Sequence, residues 1–109
     1  MKVSDIINSL DLELLCGQSG IENEITGGYV SDLLSDVMGN AKEGQVWITL
    51  QTHKNVMAIA SLKDLAAVIL VKGFNPDEDT VKQSNQEGVP ILRAKENTFE
   101  IAGKLFQLL

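Results

Sequence analysis

Few side chains in this chain are equipped for chemistry, and they are dispersed. His53 is its only histidine and Cys16 its only cysteine. The adjacent pair Gly27-Gly28 precedes Tyr29-Val30 and then Ser31-Asp32. Glycines ahead of a capped helix let backbone N–H groups meet an anion. A dinucleotide fingerprint, however, needs Gly-x-Gly-x-x-Gly, and a phosphate loop needs Gly-Lys-Ser or Gly-Lys-Thr. Neither is present, and the plainer reading of Gly27-Gly28 is a tight turn or a close backbone crossing. His53 follows Gln51-Thr52 where a strand hands over to a helix, the end of an α/β sheet at which ligands commonly bind. With Thr52 as the helix cap, His53 and Lys54 would project from the first turn towards an anionic or ring-bearing ligand. The plain alternative is a solvated loop histidine. No metal site is expected, since one needs at least three ligands and there is no second histidine or useful cysteine.

The remaining polar clusters have simple explanations. Asp77-Glu78-Asp79 stands behind Pro76, where acidic groups complement a helix dipole rather than hold a cation. Ser31, Asp32 and Ser35 offer hydroxyls and a carboxylate, but no base is spaced to activate a nucleophile. Cys16, in Leu-Glu-Leu-Leu-Cys-Gly, has no neighbouring cation to favour a thiolate and reads as a small buried hydrophobe. Trp47 and Tyr29 are lone aromatics in strand contexts, suited to a core or an interface. No catalytic assembly follows from these residues, and no enzyme is expected.

The elements that must position them centre on Ala66–Leu92. Ala66-Ala67-Val68-Ile69-Leu70-Val71 reads as a strand buried on both faces. Pro76 and the acidic residues behind it open a helix that Thr80 to Glu87 continue and Gly88 ends in the left-handed conformation. Val89 to Leu92 begin another strand. Strand, crossover helix, strand demands a parallel sheet with helices on its faces. Earlier, Val3, Ile6, Ile7 and Leu10 keep helical spacing with Ser4 as cap, and Leu12–Leu15 form a short strand ended at Gly17. Ser31 or Asp32 caps a helix with Leu33, Leu34, Val37 and Met38 on its apolar face. Gln45–Leu50 form a strand and Val56–Leu62 a helix. Asn97 caps a final helix whose apolar side holds Phe99, Ile101, Ala102, Leu105, Phe106 and Leu109. The expectation is a single α/β domain over 1–109. It has three layers, with a mainly parallel sheet of four or five strands built from βαβ units and flanked by helices.

Composition bounds the rest. Of 109 residues, 44% are hydrophobic and 22% charged, ordinary for a globular chain with one core. A net charge of −6, with Arg93 the only arginine, argues against nucleic acid, which needs clustered cations. Met1 to Leu15 lack the basic and apolar regions of a signal peptide, and no apolar run approaches a membrane span, so membrane association is not expected. A lone cysteine fits a reducing compartment, and the expected location is cytoplasmic.

As a pattern of blocks over nearly its whole length, the chain resembles the DRTGG domain and the N-terminal domain of HPr kinase/phosphorylase. The blocks are Val3-Ser4-Asp5-Ile6-Ile7, Leu12–Gly17 with Ile25-Thr26, and Val46–Thr49 followed by Gln51-Thr52-His53. They continue with Ile69–Pro76, Gly88–Leu92 and Asn97–Glu100. In this register Thr52 and His53 stand where the family carries Asp and Arg, Val71 and Lys72 replace its Thr and first Gly, and Gly73 is kept. The kinase half of HPr kinase, with its phosphate loop, is absent. The resemblance implies a regulatory, subunit-packing module of the kind that accompanies CBS pairs in regulated pyrophosphatases and phosphotransacetylase-type enzymes.

The loops after Leu50 and Val71 are expected at one carboxyl edge of the sheet. The resulting expectation is a non-catalytic, homodimeric sensor of a small anionic metabolite or nucleotide, with no cofactor. Gly27, Gly28, Thr52, His53, Lys72 and Gly73 are its candidate ligand residues. The alternative is a protein-interaction module that docks on an enzyme or sensor kinase without a ligand, with Phe74 as its interface residue.

Overall fold

The computed structural model describes Met1–Leu109 as one five-stranded sheet covered on both faces. The elements in chain order are α1 (Val3–Ser9), β1 (Glu13–Cys16), β2 (Gly27–Val30), α2 (Leu34–Asn40), β3 (Gln45–Thr49), α3 (Asn55–Leu62), β4 (Ala67–Leu70), α4 (Glu78–Glu87), β5 (Ile91–Arg93) and α5 (Thr98–Leu108), with a single 3₁₀ turn at Gln18–Gly20. The strand order is β1-β5-β4-β3-β2. Strands β2 to β5 run parallel, and β1 lies antiparallel on β5. The expected α/β class, mainly parallel sheet and flanking helices are all present.

The register explains the layers. Tyr29 stands opposite Trp47, Trp47 opposite Val68, and Val68 opposite Ile91. Side chains alternate across a strand, so this row and its alternates build two cores. Trp47, Val68, Leu70 and Ile91 pack with Val37, Val56, Met57 and Ala60. Val46, Ile48, Ile69 and Leu92 pack with Val3, Ile6, Ile101 and Leu105. Three successive crossovers step the chain one strand at a time in one direction, which puts α2, α3 and α4 on the same face. Helices α1 and α5 cover the other. Strand β4 is central and fully buried, as its unbroken aliphatic run requires.

Several local expectations are corrected. Gly27-Gly28 form no turn; they are the first two residues of β2, paired with Gln45 and Val46. A Cβ on Gly28 would come within 3.3 Å of Leu105, so close packing by α5 accounts for that glycine. Neither Ser31 nor Asp32 caps α2, which begins at Leu34 behind Leu33; the Ser31 hydroxyl instead accepts the Leu33 N–H at 3.1 Å. Thr52 does not cap α3, and Ser4 lies inside α1, whose cap position is Lys2. Pro76 lies outside α4, which Asp77 precedes, while Glu78 and Asp79 occupy its first turn and Gly88 ends it at φ 67°. On α5, Ile101 and Leu105 are buried, but Phe99 is 87% and Phe106 83% exposed. Helical geometry places those rings roughly 100–160° around the axis from the two residues that meet the sheet. Asn97 caps α5 as expected, its Oδ1 accepting the Glu100 N–H at 3.0 Å.

Candidate ligand site

The carboxyl ends of four parallel strands release loops at one edge: Ser31-Asp32 after β2, Leu50–Lys54 after β3, Val71–Asp77 after β4 and Ala94–Asn97 after β5. Because β3 and β4 are sheet neighbours, Thr52, His53, Lys72 and Gly73 share this edge. Gly27 and Gly28 do not; they open β2 at the opposite, amino edge.

Asp32 holds the first two loops together. Its Oδ1 accepts the Thr49 hydroxyl and the Leu50 N–H, both at 2.8 Å, and its carbonyl accepts the Gln51 amide at 2.9 Å. Trp47 adds a bond from Nε1 to the Ser31 carbonyl at 2.7 Å. Sequence reasoning weighs Asp32 as a helix cap and as a carboxylate beside Ser31 and Ser35 with no base to activate a nucleophile. The signal for its actual role was its place directly behind a strand end, where a carboxylate reaches the neighbouring strand's last N–H groups.

Thr52 works through its backbone. Its carbonyl accepts the Asp77 N–H at 3.1 Å and the buried Thr80 hydroxyl at 2.8 Å, tying the β3 loop to the start of α4. His53 supplies the local turn instead, its Nδ1 accepting the Asn55 N–H at 3.3 Å. That bond requires an unprotonated Nδ1 and leaves Nε2 as the ring's other polar atom. His53 and Lys54 are both exposed.

Val71–Phe74 form a two-residue turn closed by Phe74 N–H to Val71 carbonyl at 3.2 Å. Lys72 at φ 58° and Gly73 at φ 73° supply the two left-handed residues that a type I′ turn needs. Glycine meets that demand without strain; Lys72 adopts it because its N–H bonds the Glu96 carbonyl, as the Gly73 N–H bonds that of Ala94, both at 2.9 Å. Those two donors are therefore engaged, and the Lys72 ammonium is what this turn offers a ligand. Arg93 holds the flank, bonding Glu13 at 2.7 and 3.2 Å and the Asn75 side chain. Lys104 binds Glu96 at 2.7 Å; this hydrogen bond holds the Glu96 carboxyl below its usual range and the Lys104 ammonium above its own.

A cleft of about 640 Å³ lies at the amino edge, with Glu24, Glu43, Asp64 and Glu87 among its lining residues. A smaller apolar groove of about 150 Å³ lies between α5 and β2. Cys16 is buried, and burial pushes its thiol pKa up, as suits a packed hydrophobe. No helix is long and apolar enough to cross a membrane.

Comparison with known proteins agrees with this architecture. The crystal structure of the CBS and DRTGG domains of the regulatory region of Clostridium perfringens pyrophosphatase, complexed with the activator diadenosine tetraphosphate, superposes with a TM-score of 0.72 at 13% identity. The match covers 95% of this chain and 45% of that one, so the chain spans less than half of its structural neighbour. The family model of the DRTGG domain matches residues 5–108, and the chain therefore belongs to the DRTGG domain family.

Proposed function

We propose that this chain, taken as one domain over 1–109, is a non-catalytic, homodimeric regulatory module that senses a small anionic ligand at the carboxyl edge of its sheet. The observation that supports the reading is that β3 and β4 are parallel sheet neighbours, so the loops carrying Thr52, His53, Lys72 and Gly73 leave the same edge. Lys54, Lys72 and Lys95 stand on the loops of this edge among Asp32, Asp77 and Glu96, and their ammonium groups are what an anionic ligand would meet. The structural neighbour is itself a regulatory region crystallised with a nucleotide activator, which makes nucleotides the first class to test. Catalysis is not part of the reading, because the Asp32 carboxylate is bound by Thr49 and Leu50 and His53 Nδ1 faces Asn55. Gly27 and Gly28, at the far edge, are left out of it.

The test is a thermal-shift panel of adenine and guanine nucleotides, dinucleotides and sugar or acyl phosphates. A ligand at about 100 times its Kd adds roughly 2.7 kcal/mol of stability. His53→Ala and Lys72→Ala are both expected to weaken the hit; Lys72→Ala leaves the unliganded Tm unchanged because its side chain is exposed, and His53→Ala lowers it only by the loss of the Asn55 hydrogen bond. Unchanged affinity in both variants would sink the site. A second reading, a docking module without a ligand, rests on Phe74, which the β4 turn presents 45% exposed. A flat ligand panel together with a partner lost on Phe74→Asp would favour it.

A further inference from the structure

We propose that two copies of this chain associate through α5, packed antiparallel on its symmetry mate about a two-fold axis passing between Ala102 and Gly103. This gives the self-association in the functional reading a surface, and it stands whether or not the ligand site does.

Helix α5 has two apolar faces. Ile101 and Leu105 meet the sheet, whereas exposed Phe99, Gly103 and Phe106, with half-buried Ala102 beside them, lie along a second stripe. Phe99 and Phe106 are seven residues apart, two turns on one face. The groove beside this stripe is lined by Gly28, Val30, Ala102, Leu105, Phe106 and Leu109.

Three observations select a second copy as occupant. The stripe reads Phe, small, small, Phe, symmetric about its centre, so an antiparallel copy sets each Phe99 beside the partner helix's Phe106 and the small residues face each other. That self-complementarity is what an isologous two-fold contact demands. Gly103 is otherwise unexplained: it stands inside a helix, the least favourable place for glycine, and a Cβ there would meet nothing within 4 Å. Close approach of a second helix supplies a reason, since small residues at the crossing set the shorter interaxial distances. Area also fits. A standard interface buries about 800 Å² per partner, of which about 65% is apolar in homodimers, or roughly 520 Å². The two phenylalanine rings with the exposed halves of Val30 and Leu109 offer roughly 500 Å². The stripe itself carries no charge. Glu100 and Lys104 lie roughly 110° and 150° around the helix from the centre of the stripe, so two chains of like charge meet without placing an ionised group at its centre.

Sedimentation and light scattering of the intact chain test this. The expected mass is twice the 11.8 kDa of one chain. Phe106→Asp and, separately, Gly103→Gln are expected to halve it with unchanged circular dichroism, as both positions are exposed in the single chain. Ala102→Cys, beside the two-fold, is expected to cross-link copy to copy on oxidation with diamide, while Ser61→Cys on α3 is not. A wild-type mass of one chain, or a dimer indifferent to both α5 substitutions, overturns the proposal; so does a dimer in which Ala102→Cys fails to cross-link. Running the nucleotide panel on both the wild type and Phe106→Asp separates the two readings: a Phe106→Asp monomer that binds keeps the sensor, and a wild-type dimer that binds nothing keeps only the interface.

Discussion

Asp32 shows how much one side chain can organise at a strand end. Its Oδ1 takes two hydrogen bonds from β3 and the residue after it, one of them from the buried Thr49 hydroxyl. Asp32→Ala leaves that hydroxyl without an acceptor, and the expected loss is about 1–3 kcal/mol. A chemical melt of the variant with unchanged m-value would measure it. Cys16 is buried with its thiol pKa raised by burial, so it is expected to react with a disulfide reagent only as fast as the protein opens. Reaction at the rate of a free thiol under native conditions would contradict that. Glu96 gives a pH signature. The Lys104 hydrogen bond lowers its folded pKa, so its stabilising contribution is fully present above the ordinary carboxylate value of about 4.3 and is lost as pH falls through the lowered folded value. Lys104→Met is therefore expected to lower Tm at neutral pH and to have no effect at strongly acidic pH.

At the scale of elements, the glycines divide in a way that local sequence does not announce. Gly17 ends β1 at φ 75°, and a Cβ there would lie 2.6–2.7 Å from Ser84 Oγ, the Val89 carbonyl and Pro90 Cα. Left-handed strain and overlap together predict a loss of about 2–4 kcal/mol for Gly17→Ala. Gly27 sits in extended strand with its nearest neighbour 3.8 Å from a Cβ, so Gly27→Ala is expected to be neutral or to stabilise by about 0.5 kcal/mol. Parallel thermal melts of the two variants decide it; equal losses would refute the distinction. The sequence had drawn the eye to Gly27-Gly28 because adjacency is visible in one dimension. Gly17 is held by α4 and β5, almost seventy residues away, and that contact exists only in the fold. The helices were legible where their signals are local: the acidic start and Gly88 end of α4, and Asn97 at α5. They were misread at α2 and α3, where Asp32 and Thr52 had two partners to choose from. Each bonded a neighbouring segment in place of its own helix.

For the whole molecule, the sequence alone determined the fold class and the elements. An unbroken aliphatic run can be buried only on both faces, and a helix between two such strands can close only as a parallel unit. The resemblance in its blocks was equally legible, and the family match over residues 5–108 agrees with it. Periodicity also predicted α5 as amphipathic, but it could not say which of its apolar residues would meet the sheet. The helix has more apolar surface than one sheet can cover, and the position of β2 as an edge strand decided that Ile101 and Leu105 went inward and Phe99 and Phe106 outward. The same holds for the candidate site. Sequence placed the loops after Leu50 and Val71, with Thr52, His53, Lys72 and Gly73, at one carboxyl edge, as the parallel pairing of β3 and β4 has it, but only strand pairing showed that Gly27 and Gly28 open β2 at the other. Local propensity fixes what each segment becomes; which segments become neighbours is set by burying all the apolar surface at once, and that is a property of the tertiary structure.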